Sequence, residues 1–241
     1  MPSGHHLRVS LIAILTLSCI HYGRKDYYLG GVASFQTGDL PKAEERFLKA
    51  LSQGDSIEAA RRYLIRIYRL KGDKDKVKAQ YLALLRSGMV KTDVIDYLAD
   101  YYQEKGQFYN CYLTLKVGAK RVLEISNRVV DRKLLATLFT GLTSQGEVRD
   151  PISWVIKKGY LIPMPDGNFY PDDTVRIENL AVVLAPYLPA GRYIRSTDGP
   201  FGYALTKLDQ QGLSPLLRPS DRPLRLKTAI TILDRVKGYL K

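Results

Sequence analysis

Apolar residues recur with a helical spacing, not an alternating one, through the first half of the chain. Leu64, Ile67 and Tyr68 share a face at that spacing, as do Tyr97, Leu98, Tyr101 and Tyr102, because positions three and four apart stack on the same side of a helix. A longer period is laid over this one. Gly38, Gly72 and Gly106 lie 34 residues apart, twice over. Five residues beyond each Gly stand Ala43, Val77 and Cys111, then Phe47, Tyr81 and Leu115, then Ala50, Leu84 and Gly118. Seven residues before each Gly are Gly31, Ile65 and Ala99, and four before are Ser34, Tyr68 and Tyr102. The frame predicts three antiparallel helix pairs, each joined at its Gly. Small residues would let the helices approach, and aromatic ones would fill the space between them.

A 34-residue period with these offsets resembles the tetratricopeptide repeat, and covers about residues 24–120. The resemblance implies a helical-hairpin solenoid in which no unit buries its face alone, so that units stack. It also implies a groove for a partner protein, lined by the first helix of each unit. Arg62, Arg66 and Arg69 fall on one stripe of such a helix and are the groove candidates for an acidic partner. The competing reading pairs Arg62 and Arg66 with Asp96 and Asp100, one period further on. Gly30-Gly31 and Ser34 make the first unit atypical, and Cys111 reads as a small buried residue.

From about residue 145 the pattern changes. Trp154 precedes Gly159, which suits a helix C-cap. A turn Asp166-Gly167-Asn168-Phe169-Tyr170-Pro171 follows, and Arg176-Ile177-Glu178 opens a helix running to Tyr187 before Pro189. This stretch, residues 150–188, resembles an S-layer-homology motif. A degenerate copy spans 199–240, with Tyr203 in the place of Trp154, Gly212 as helix end and Arg225 heading the last helix. A partial copy spans 112–142, with Gly118 ending its first helix and Arg132 heading its second. Three copies imply a pseudo-threefold helical domain over 121–241. In that family the grooves bind acidic wall polysaccharide, and the Arg fork suits carboxylate oxygens. The polymer-binding candidates are Trp154, Asp166, Gly167, Arg176, Arg132 and Arg225. Each also has a plain structural reading: core filling for Trp154, a tight turn for Asp166-Gly167, a cap or ion pair for Arg176. The motif's Thr is Val175, Leu224 and Asp131 here, and its Glu is Lys227 and Leu134 in the outer copies.

The start of the chain bears on compartment. His5, His6 and Arg8 precede an apolar run, Val9 to Leu17, with the length of a signal-peptide core and too short to span a bilayer. Leu15-Thr16-Leu17-Ser18-Cys19 resembles a bacterial lipobox, with Thr16 where Leu is usual. The resemblance implies cleavage after residue 18 and a lipid on Cys19, which would leave Cys111 as the other thiol. Residues 1–18 are thus expected to be a signal peptide, 19–120 the repeat array and 121–241 the C-terminal domain.

The chain has 241 residues and is 45% hydrophobic, enough for a packed core. Its 37 Lys and Arg against 24 Asp and Glu give a net charge of +13, which favours an anionic partner. No zinc-type Cys/His spacing and no interleaved basic-aromatic run points to nucleic acid. Outside the expected signal peptide His21 is the one histidine, and no phosphate loop or two-His metal set occurs, so neither catalysis nor a cofactor is expected. The whole reads as an all-α, non-enzymatic lipoprotein scaffold, lipid-anchored on the outer-membrane or periplasmic side. It would tether an envelope protein and bind an anionic, peptidoglycan-linked glycan. The alternative is a pilotin-like assembly factor or a subunit of a pilus, secretin or motor, whose C-terminal part contacts protein instead.

Overall fold

The computed structural model describes residues 26–144, 146–189, 199–213 and 222–240. The expected signal peptide and Cys19 lie outside them. Among the described residues the fold is all-helical, with isolated β-bridges in place of strands. The helices are α1 (Tyr27–Gln36), α2 (Leu40–Ser52), α3 (Ile57–Leu70), α4 (Lys74–Arg86), α5 (Thr92–Glu104), α6 (Phe108–Arg121), α7 (Leu123–Ser126), α8 (Arg132–Thr143), α9 (Pro151–Lys157), α10 (Ile177–Leu184), α11 (Gly199–Gln210) and α12 (Leu226–Val236). Two compact units divide the chain, Met1–Gln80 and Tyr81–Lys241, with the boundary inside α4.

The glycine frame marks the hairpin corners. Gly38, Gly72 and Gly106 have φ of +78°, +71° and +67°, a conformation that L side chains resist. The residues at the frame positions are buried: Ala43, Phe47 and Ala50 in α2, Val77, Tyr81 and Leu84 in α4, and Cys111, Leu115 and Gly118 in α6. Burial pushes the Cys111 thiol up to about 12, with the Asp100 charge adding to it.

In the first unit, the small residues of α1 have a steric cause. A Cβ at Gly31 would lie 2.8 Å from the Phe47 ring, so α1 and α2 touch there through the glycine backbone. Over Gly30 lies Arg46, whose Nη1 donates to Gly30 O at 2.6 Å and to Ser34 Oγ at 3.2 Å. Phe47 stacks on Tyr63 of α3 at 4.8 Å between centroids, and Phe35 and Tyr28 meet Tyr63 edge-on. Asp26 and Asp39 cap α1 and α2 by accepting from Leu29 N and Lys42 N.

In the second unit, the α5–α6 hairpin shares one core with everything that follows it. Ile95, Cys111 and Leu115 belong to the same cluster as Leu138, Leu180, Leu208 and Leu233. The contact boundary therefore lies at residue 80 and not at the expected 120, because α6 packs on α8 and α12. Tyr112 OH donates to Asp234 Oδ1 at 2.8 Å, and Lys116 pairs with Asp234 Oδ2 at 2.6 Å. Gly118 does not end a helix as expected. It sits inside α6, where a Cβ would press on Ile95 and Ile125, and the helix continues to Arg121.

Three extended segments meet at the centre of this unit. Val130 N donates to Leu224 O at 2.9 Å, Leu224 N to Val175 O at 2.8 Å, and Val175 N to Val130 O at 2.8 Å, closing a ring. All three side chains are buried. The next residues, Asp131, Arg176 and Arg225, are the N-caps of α8, α10 and α12. A second layer repeats the pattern, with Arg132 N donating to Asp173 O and Leu226 N to Arg128 O. The ring corrects the expected register. Asp131, not Arg132, stands at the position of Arg176 and Arg225, and Arg132 is the first residue of its helix.

Lys207 of α11 is buried, and its Nζ donates to Ala185 O at 3.0 Å and Leu188 O at 3.2 Å. It thereby satisfies carbonyls of the 3-10 turn that follows α10. Lys207→Met should lower stability by about 1–3 kcal/mol, the usual consequence of leaving buried acceptors without a donor. A urea midpoint unchanged from the parent would refute that role.

Candidate functional site

The sequence candidates do not converge into one constellation. Arg62, Arg66 and Arg69 lie on α3. Arg62 Nε donates to Glu58 Oε1 at 3.0 Å, and the Arg66 guanidinium sits over the Tyr63 ring at 5.3 Å. Asp96 is paired with Arg128. Asp100 carries a pKa above the ordinary carboxylate value, from burial first and then the Asp96 charge.

Asp166 and Gly167 form a self-contained turn. Asp166 accepts from Tyr170 OH, from Asn168 N at 2.9 Å and from Asn168 Nδ2 at 3.2 Å, and these bonds, the Tyr170 one foremost, hold its carboxyl below the usual range. Gly167 takes φ +85°, and its N–H donates to Met164 O at 2.8 Å. Arg176 is exposed, and its backbone N–H donates to Asn179 Oδ1 at 3.0 Å. Arg225 Nη1 donates to Asn127 O at 2.8 Å. Arg132 Nη2 donates to Ile162 O at 2.7 Å, and its guanidinium lies 4.5 Å from the Phe169 ring centre. These contacts pin the Arg132 head against the 161–169 loop.

Trp154 is half-buried against the core and faces Tyr160 at 5.7 Å, with Tyr187 beyond it; Tyr187 OH donates to Gly159 O at 2.9 Å. Trp154 and Tyr160 wall a cleft of about 670 Å³ between α9 and the 143–150 segment. Arg149, Lys157 and Lys158 line the same cleft, and none has a carboxylate partner among the described residues. Asp150, which also lines it, is committed as the N-cap of α9. It accepts from Ile152 N, Ser153 N and Ser153 Oγ, and that last bond is the main reason its carboxyl titrates low. The sequence reading named Trp154 and missed the three cations. The signal was present in Lys157-Lys158 beside Gly159, but only the fold brings Arg149 to the same wall.

A second cleft, of about 490 Å³, lies between α8, α10 and the 161–164 loop. It contains Arg132 and Glu178. Asp166, Arg176 and Arg225 line neither cleft. Among the described residues no group of His, Cys, Asp and Glu could hold a metal ion, and no helix is long and apolar enough to cross a membrane. Comparison with known proteins gives no match to a protein-family model, a curated protein or a solved structure.

Proposed function

We propose that this chain is a non-enzymatic scaffold of the bacterial envelope, lipid-anchored through Cys19. In this reading the tetratricopeptide-like hairpins dock a partner protein, and the S-layer-homology-like region binds an anionic wall polymer. The observation that carries the polymer half is the cleft beside Trp154. An aromatic wall offers a face for a sugar ring, and Arg149, Lys157 and Lys158, which outnumber the lining carboxylates Glu147 and Asp150, supply positive charge for its acidic groups. The ring through Val130, Val175 and Leu224 supports the three-copy reading, since each copy contributes one extended residue and one helix.

The test is co-sedimentation of residues 20–241 with purified cell-wall sacculi, before and after stripping of the wall polymer, across a salt series. Binding is expected to survive moderate salt and to fall on stripping. Changing Arg149, Lys157 and Lys158 together to Gln should weaken it by about an order of magnitude, and Arg176→Ala should weaken it as the family resemblance implies. A control changes three exposed lysines elsewhere, Lys42, Lys120 and Lys227, to Gln. Equal loss in the control would mean that bulk charge alone acts, and absence of binding would sink the polymer reading.

A further inference from the structure

The cleft between α8 and α10 differs in chemistry from the rest of this basic chain. Its floor is aliphatic, from buried Leu135 and Leu161. Its rim leaves Ile162 72% exposed and Val182 44% exposed, with Met164 beside them. No aromatic ring lines it, so it has no stacking face for a sugar. Two carboxylates, Asp173 and Glu178, stand in it without a cation among the described residues. Glu178 Oε2 is shielded from solvent with no donor, a state that is costly until a donor arrives. Arg132 is the one cation of the lining; its Nη2 donates to Ile162 O and its guanidinium lies against the Phe169 ring, while its Nε is shielded from solvent with no acceptor. The cleft is thus net negative on a chain of net charge +13.

We propose that this cleft is a docking site for an amphipathic segment of a partner protein. One or two of the segment's aliphatic side chains enter between Leu135, Val182 and Val183, and its Lys or Arg residues meet Asp173 and Glu178. Aliphatic burial supplies the affinity, and the two carboxylates select the sign of charge. The site is separate from the Trp154 cleft and does not rest on polymer binding.

The test uses the whole chain from residue 20 and two fluorescent amphipathic peptides of equal length, one of Leu and Lys and one of Leu and Glu. Bulk attraction to a strongly basic protein would rank the Leu/Glu peptide first. The proposal predicts the reverse at this site. Anisotropy titrations at near-physiological salt should show Leu/Lys binding that weakens at least about tenfold in Val182→Lys and in the Asp173→Asn, Glu178→Gln pair. Leu/Glu binding should be insensitive to Val182→Lys. Val182→Lys should also sediment with sacculi as the parent does. The proposal is overturned if the Leu/Lys peptide does not bind, or binds regardless of Val182→Lys. It is also overturned if Leu/Glu competes equally for the Val182-dependent site, which would make it a purely apolar pocket. Loss of sacculus binding in Val182→Lys would overturn it too, by making the cleft part of the polymer site.

Discussion

Gly141→Ala should lower the stability of the second unit by about 2 kcal/mol. The sign is opposite to what the helix alone would give. Replacing a mid-helix Gly with Ala favours the helix by about 1 kcal/mol. Gly141 of α8, however, lies against α6, where a Cβ would fall 2.4 Å from Phe108 O and 2.7 Å from Tyr112 Cβ. Neither atom can rotate away, so the whole of α6 must shift. Overpacking of that kind costs about 1–3 kcal/mol and sometimes more, here at the upper end. Gly118→Ala is the internal comparison. Its new methyl would lie 2.8 Å from Ile95 Cγ2 and 3.0 Å from Ile125 Cγ2, on buried β-branched side chains that turn little but are not backbone, so the change should cost less than Gly141→Ala. Gly238→Ala has nothing within 4 Å and should not destabilise. Trp154 is the one tryptophan of the chain and lies in the second unit, so urea unfolding followed by its fluorescence reads the relevant unit. Equal midpoints for Gly141→Ala and Gly238→Ala would contradict the close helix crossing.

Leu224→Ala should be more damaging, by about 2–5 kcal/mol, the range for emptying a fully buried aliphatic site. Leu224 is 0% exposed, and its backbone both donates to Val175 O and accepts from Val130 N. The cavity would open where three segments are held together, so the damage should spread beyond the site. Amide exchange at Val130 and Val175 should accelerate along with the drop in the urea midpoint. The neighbouring Arg225→Ala removes an exposed side chain and one bond to Asn127 O, for a loss of about 1 kcal/mol. If Leu224→Ala left the Val130 and Val175 amides as protected as in the parent, the ring would not be the element that joins the three helices.

Much of the helical architecture was legible because it is local. The 34-residue glycine frame marked corners whose left-handed backbone glycine adopts with least strain, and the apolar offsets named buried residues of α2, α4 and α6 correctly. Trp154, Gly159 and the Asp166-Gly167 turn were likewise readable as helix, cap and turn. The register of the weakest copy was not legible. Arg132 looked like the partner of Arg176 and Arg225 in sequence, yet the hydrogen-bond ring places Asp131 there. A one-residue offset in an extended segment reverses which face a side chain takes, and no local pattern fixes it. The packing of α6 was not legible for a related reason. The repeat frame treats α6 as the end of an array, while its other face is covered by α8 and α12.

The sequence by itself determined that the chain is helical, where its hairpins turn and which residues are apolar enough to be buried. Those properties follow from backbone preferences and hydrophobic period, which act over a few residues. Only the tertiary structure decided which helices share a core, which carbonyls close the ring at Val130, Val175 and Leu224, and which charges meet in each cleft. Arg149 joins Lys157 and Lys158, and Asp173 and Glu178 make no ion pair among the described residues, because packing brings together side chains from separate elements. Charge composition counts those groups, and the fold alone assigns their neighbours.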